Sequence, residues 1–487
     1  MRKRIDAWAL YINLFLFAAI VFFSFFSTTG LFSVAGRSFQ LSFYFGIVGL
    51  AVFYISYFFV FKSRSVDFLF PILICLFAIL LTSSLGMAFA LKPRFDGLFG
   101  STPEREVIFN AAKYAFDLAF IPYFAFMVSI LDRKKITLSV NIFLIAWIAF
   151  GLFQILVFYI DKESLWRVYD GLDVLKIIGG NSEMFLRIKH NYAGQFRFFG
   201  FASEPSLNCL LVSVFLLPYL FYKTTRKGIP FKKKAFYFLA LVFVLLLAFL
   251  TRSASVYAGI AVDLIGLFVV LIRRKTIGPK TMVFIIGGLL VGMAILLVTP
   301  KTRDAILGGF LLKITDRSNQ STQHRYSTIV NDFMILLKNP LFGVGDGNQG
   351  YFYAENITGT WMSRNEETQS AIQGKMGLLN GGAAIPSLIS GFGLLGSWLI
   401  VKAYLRYLRQ AANINPRWMR IRPYFWTGIA SALFLASATA GIHQNYLLLL
   451  ILCYPSLLSL ERETNRETLS TVTFDRRWDA LNTELSL

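Results

Sequence analysis

Long apolar runs separated by short polar segments set the rhythm of this chain. The runs are roughly 16–25 residues long, the length that crosses about 30 Å of hydrocarbon as α-helix. Twelve spans are predicted: Ala7–Ser27, Gln40–Phe61, Phe68–Leu91, Val107–Leu131, Ile136–Ile160, Pro205–Tyr222, Ala235–Leu250, Ala254–Ile272, Met282–Thr299, Ala384–Leu405, Tyr424–Ala440 and Asn445–Leu460. The fourth is irregular, because it carries Lys113, Asp117 and Pro122; the last two, joined by a very short turn, also read as one re-entrant unit. Two stretches break the rhythm, Asp161–Glu204 and Pro300–Ala383. Loops of that length are functional or disordered. Both keep aromatic and aliphatic residues at mixed spacing (LWRVYDGLDVLKII; RYSTIVNDFMILLKNPLF), so short helices on the bilayer surface are expected. The pattern gives spans over 1–160, a long loop over 161–204, spans over 205–299, a second loop over 300–383, spans over 384–460 and a polar tail over 461–487. The fold class is all-α, a polytopic integral membrane protein.

Composition agrees with the pattern: 56% of the residues are hydrophobic and 15% charged, against about 25% charged in soluble domains. The charge is also sided. With the N-terminal MRKR in the cytoplasm, KSR, DRKK, KTTRKGIPFKKK, RRKTIGPK and the segment from Lys402 to Arg422 all lie inside. Together with both tails they hold 28 of the 48 lysines and arginines. Short loops are the ones that report orientation, so both termini are expected in the cytoplasm and both long loops outside. The net charge of +21 then reflects this bias and attraction to anionic lipid, not nucleic acid. The first apolar run is too long for a cleaved leader and lacks a small-residue cleavage site, so it reads as a retained span. Cys75, Cys209 and Cys453 fall within spans, where free thiols are expected. No internal repeat of the kind seen in secondary transporters is evident.

Candidate chemistry concentrates in the outer loops. Arg187, Lys189, His190 and Arg197 precede Glu204 at the mouth of the sixth span, in RFFGFASEPS. A guanidinium fork matches phosphate or carboxylate oxygens, whereas Glu204 before Pro205 also suits a plain helix start and Arg197 a headgroup anchor. Arg252, in the tight turn LTRSAS, reads as an interfacial anchor unless it converges with the other arginines. The second loop carries His324 and Arg325 at the head of an amphipathic run, then Asn339-Pro340 and the turn Gly343, Gly345, Asp346, Gly347. GVGDG fails as a nucleotide fingerprint, since no strand precedes it and no lysine-serine pair follows; a tight turn needing positive φ at glycine is expected instead. His443 reads as a polar turn residue or a base. The histidines show no metal-site spacing. Asp263 and Asp117, ionisable groups inside spans, are expected to face the bundle interior.

The loop RFFGFASEPS, the turn TRSAS, and HRYSTIVNDFMILLKNPLFGVGDGN followed by GFGLLG occur in an order that resembles the O-antigen polymerase and ligase superfamily, the Wzy-type polymerases and lipid A-core O-antigen ligases. The resemblance covers Arg197 to Ser397. It implies a C-type glycosyltransferase-like fold of about twelve transmembrane helices in the bacterial inner membrane, with a periplasmic active site. It also implies a metal-independent inverting enzyme without cofactor, which moves a glycan from undecaprenyl diphosphate to a sugar hydroxyl. By motif position Arg197 and Arg325, and loosely Arg252, would grip the diphosphate; Arg187, His190, His324, Gly343, Gly345 and Asp346 would line the glycan-handling loops. Glu204 is the first choice of general base, then His443, then Asp346. Ligases carry an HN pair before the glycine-rich span, where this chain reads NGGAAIPSLISGFGLLG without histidine; that favours a repeat-unit polymerase over a ligase. Lipid-linked oligosaccharide, membrane lipid, a chain-length regulator and a flippase are the implied partners. A flippase or other transporter is the alternative of a different class, and it would place charge at mid-membrane depth.

Overall fold

The structure is a computed structural model. It describes residues 2–24, 29–34, 37–61, 69–95, 102–130, 133–160, 210–226, 229–273, 320–364, 366–373 and 383–414, with 167, 198, 200, 208, 424, 426–428 and 430–431. The predicted ninth and twelfth spans, most of the eleventh and the 461–487 tail lie outside the described residues.

The first five spans are helices: α1 (Arg2–Ser24), α2 (Leu41–Ser56, with a π-helical end to Phe61), α3 (Leu69–Phe95), α4 (Pro103–Ile130) and α5 (Arg133–Ile160). A short antiparallel hairpin, β1 (Thr29–Val34) and β2 (Arg37–Gln40), joins α1 to α2. It is a small departure from the all-α expectation, in a polar connection that periodicity cannot score. The irregular fourth span is one helix, with Pro122 inside it. Thr102 precedes Pro103 and accepts at its Oγ1 from the Arg105 N–H at 3.4 Å, a start that suits a first-turn proline. Within the sixth span a π-helix runs over Leu210–Leu216 and continues as α6 (Leu217–Thr225). Next come α7 (Phe231–Leu250), α8 (Ala254–Arg273), α9 (Gln320–Lys338), short helices α10 (Tyr353–Ile357) and α11 (Glu366–Ile372), and α12 (Ala384–Ile414).

Among the described residues, five helices contain windows long and apolar enough to cross a membrane: Leu73–Arg94, Val140–Ile160, Phe231–Leu250, Ser255–Ile272 and Ile385–Ala403. Shorter apolar helices run over Trp8–Ile20, Phe45–Phe61 and Leu211–Thr225. The protein is therefore a multi-pass α-helical membrane protein. Its bundle is apolar outside, with Trp8, Phe15, Phe59, Phe231 and Phe238 exposed, and it buries polar groups within, including Asn13, Gln154 and Asp263. Aromatic side chains fill the core between α2 and α4, where Phe53 packs on Tyr123 with centroids 4.9 Å apart. Asn13 of α1 donates to Ser56 Oγ at 3.0 Å and Tyr123 donates to the Asn13 carbonyl at 2.9 Å. Such interhelical bonds hold bundles together where lipid competes for apolar faces, at about 1 kcal/mol each.

Candidate functional site

Phe198, the residue after Arg197, is fully buried and meets Trp147 of α5 edge to face at 4.9 Å. Its N–H donates to the Leu250 carbonyl at 2.9 Å, at the end of α7. Gly200 follows at φ +59. Gln154 of α5 clamps it from both sides, its Nε2 donating to the Gly200 carbonyl and its Oε1 accepting from the Gly200 N–H, each at 3.3 Å. A Cβ at Gly200 would sit 2.8 Å from both Asn208 Oδ1 and Trp147 Nε1, so only glycine fits. Phe198 and Gly200 are thus fixed to α5 and to the end of α7, where the turn of Arg252 begins.

That turn is built tightly. Thr251 is buried and its Oγ1 donates to the Ala248 carbonyl at 2.7 Å, while Ser253 N–H donates back to Thr251 Oγ1 at 3.3 Å. Tyr257 caps the end of α7 by donating to the Phe249 carbonyl at 2.7 Å. Between them Arg252 holds φ +49, the positive value of a non-glycine residue among those described. A left-handed arginine costs about 1 kcal/mol or more, and such strain persists where surrounding bonds over-determine it.

The second loop folds onto a break in α12. Gly393 there has φ +66 and ψ −176, which interrupts the helix. The turn after α9 fills the break by backbone pairing. Val344 N–H donates to the Ser390 carbonyl at 3.0 Å and Gly345 N–H to the Gly391 carbonyl at 2.8 Å. In return Leu394 N–H donates to the Pro340 carbonyl at 2.8 Å and Leu395 N–H to the Leu341 carbonyl at 3.1 Å. Gly343, Gly345 and Gly347 all hold positive φ, as the sequence predicts for a tight turn. NPLFGVG and GFGLLG are the two halves of one interlocked unit.

Two carboxyl groups are buried at this junction. Asp332 of α9 accepts from Ser390 Oγ at 2.8 Å. Asp346 accepts from Gln349 Nε2 at 3.3 Å, its N–H donates to Ser84 Oγ of α3 at 3.2 Å, and Gln349 also donates to the Ser387 carbonyl at 3.0 Å. Burial pushes the Asp332 carboxyl up to about 7; the Ser390 hydroxyl opposes this and the neighbouring Asp346 charge adds to it. Asp332 and Asp346 are 2% and 6% exposed, so neither presents an open face to a substrate. Farther out, Arg94 pairs with Glu355 at 2.5 Å and Lys338 with the same carboxylate at 3.1 Å.

The structure thus joins the segment after Arg197 to the turn of Arg252, and joins Gly343, Gly345 and Asp346 to α12. His324 and Arg325 belong to the first turns of α9. Arg187, His190, Arg197, Glu204 and His443 lie outside the described residues. Asp263 faces the bundle interior as expected: it is fully buried and accepts from Ser431 Oγ at 2.6 Å. Sequence reading missed Asp332, Ser390, Gln349 and Gln154. The signal for Asp332 was present, since Ser327, Thr328, Asn331 and Asp332 recur at helical spacing and form the buried face of α9. No protein-family model matches the chain, and no curated protein matches it in sequence.

Proposed function

We propose that this protein is a membrane glycosyltransferase that polymerises polysaccharide repeat units carried on undecaprenyl diphosphate, at the periplasmic face of a bacterial inner membrane. The observation that carries this reading is the Phe198 N–H bond to the Leu250 carbonyl at 2.9 Å. It brings the backbone beside Arg197 to the end of the helix that Arg252 follows, so two cations suited to one diphosphate arise from loops tied together. A leaving diphosphate without a metal counter-charge needs preorganised donors, because its charge develops as the glycosidic bond breaks. In the proposed reaction Arg197, Arg252 and Arg325 hold the diphosphate of the donor. Glu204, or His443 in its place, takes the proton of the acceptor sugar hydroxyl. The acceptor oxygen bonds to the anomeric carbon with inversion, the carbon–oxygen bond to phosphate breaks, and undecaprenyl diphosphate leaves with the electron pair.

The test is direct. Purified protein incubated with lipid-diphosphate repeat units is expected to yield a ladder of lengthened products. Arg197→Ala and Arg325→Ala are each expected to insert normally and abolish the ladder; normal ladders from both would remove the diphosphate role. A ligase would instead leave long chains on the carrier lipid when lost from cells. The transporter reading is favoured by one observation, the fully buried Asp263 in the middle of α8. Protein that moves lipid-linked sugar across vesicles but never lengthens it would establish that reading.

A further inference from the structure

The second loop carries a surface that an aqueous loop does not tolerate. On α9 the buried face is mostly polar, with Ser327, Thr328, Asn331 and Asp332 each 6% exposed or less beside the fully buried Ile335. Its outward face carries Phe333, 54% exposed, and Leu337, 77%, and the turn that follows adds Leu341 at 60% and Phe342 at 56%. This amphipathicity is inverted relative to a surface helix in water. The exposed stripe does not end at the turn. Leu341 and Phe342 adjoin Leu394 and Leu395 through the backbone bonds of the α12 break, and the exposed side of α12 continues as Trp398 and Val401. Those residues belong to the Ile385–Ala403 window, long and apolar enough to cross a membrane. The apolar face of α9 is therefore continuous with the outer face of a spanning helix.

Depth points the same way. Gly345 and Asp346 touch Ser84, which stands near the middle of the Leu73–Arg94 window of α3. Ser84 lies eleven residues before the end of α3 at Phe95, or about 16 Å along a helix. A turn reaching that level lies well below the bilayer surface. Non-helical backbone persists at such depth only where protein satisfies its polar groups. The reciprocal pairing of Pro340–Gly345 with Ser390–Leu395 meets that condition. The Arg94–Glu355–Lys338 ion cluster lies on the polar side of the same unit and suits the headgroup level.

We infer that α9 and the Asn339–Gly345 turn form a re-entrant element whose apolar face is seated against lipid acyl chains, contiguous with the lipid face of α12. This holds independently of the transfer reaction proposed above. The element then serves as a lipid-supported wall that closes the Asp332–Ser390–Asp346 junction from water.

The test uses the full chain with Cys75, Cys209 and Cys453 replaced by alanine. Leu337→Cys, Phe342→Cys and, as the aqueous control, Thr358→Cys are labelled with an environment-sensitive fluorophore and reconstituted in phosphatidylcholine nanodiscs. Thr358 is exposed beyond α10. At Leu337 and Phe342, doxyl-labelled lipid is expected to quench several-fold more, and iodide several-fold less, than at Thr358. Iodide quenching equal to that at Thr358 would overturn the inference in favour of a water-facing helix. Protection from both quenchers would overturn it in favour of a protein surface, a second copy included. Retention of monodisperse protein by all three variants keeps the comparison between folded molecules.

Discussion

At Gly343 and Gly393 the backbone decides the residue. Both hold positive φ, at +68 and +66, and a Cβ on either would collide with carbonyl oxygens of the opposing segment, Ser390 and Gly391 for the one and Leu341 for the other. Gly359 has φ +82 but open space around its Cβ position. The difference is testable. Gly359→Ala is expected to cost only the left-handed strain, about 1 kcal/mol. Gly343→Ala or Gly393→Ala must also break the interlocking bonds, roughly 2–4 kcal/mol in all. Melting midpoints and monodisperse yield in detergent measure this; equal losses at all three would refute the interlock. Asp332 makes a second residue-scale prediction. Its carboxyl is raised from the ordinary 3.8 to about 7, so between about pH 4 and 7 the folded protein holds a proton that the unfolded chain releases. Stability from this group is full below that window and declines as pH rises through it. Asp332→Asn keeps an acceptor for Ser390 Oγ and cannot ionise, so its melting midpoint should fall less steeply over that range. Parallel profiles would assign the pH dependence elsewhere.

At the scale of elements, the informative unit is the helix end and what is bonded to it. The turn of Arg252 ends α7, starts α8 and receives Phe198 N–H two residues upstream, at Leu250. Its strained φ gives a way to separate structure from chemistry. Arg252→Gly removes the steric cost of φ +49, by about 1 kcal/mol, together with the guanidinium. The expected outcome is an unchanged or raised melting midpoint with loss of product ladders; retained ladders would reduce Arg252 to an anchor. The elements themselves were largely legible, because a run such as Phe231–Leu250 has the length and hydropathy of a span whatever it packs against. Even Pro122, which disturbs the pattern, sits inside a continuous α4. The glycine turn was legible too, since Gly343, Gly345 and Gly347 follow Asn339-Pro340 too closely for any element. What it docks against was not. The bonds from Val344 to Ser390 and from Leu394 to Pro340 cross about fifty residues, and backbone pairing leaves no side-chain pattern to read. The π-helix over Leu210–Leu216 is hidden for the same reason, and the Gln154 clamp on Gly200 because a lone glutamine in a span does not name its partner. At Asp332 the polar spacing was visible, but it reads as a solvated face unless one knows that the outside of α9 is apolar.

For the whole molecule, the helix ends sort the chemistry to one side. Chain alternation puts the ends of α3, α5 and α7 and the starts of α4 and α8 at one end of the bundle. Phe198 bonds there to Leu250, and Gly347 lies against Glu106 and Asn110 in the first turns of α4. Phe198 of the first long loop and Gly347 of the second therefore meet the bundle from the same end. The opposite end carries Lys232, Lys233 and Lys234, exposed at the start of α7, in a short basic connection of the kind that stays in the cytoplasm. These positions predict an orientation that can be measured in intact cells. With the native cysteines replaced, Thr358→Cys should react with a membrane-impermeant maleimide in intact spheroplasts. Lys233→Cys should react only after lysis. The reverse pattern would put the arginine loops in the cytoplasm, where a periplasmic polymerase could not use them. Labelling of both from one face would overturn the alternation itself. The expected pattern would place the turn of Arg252 and the glycine turn on the outer side, as the proposed reaction requires.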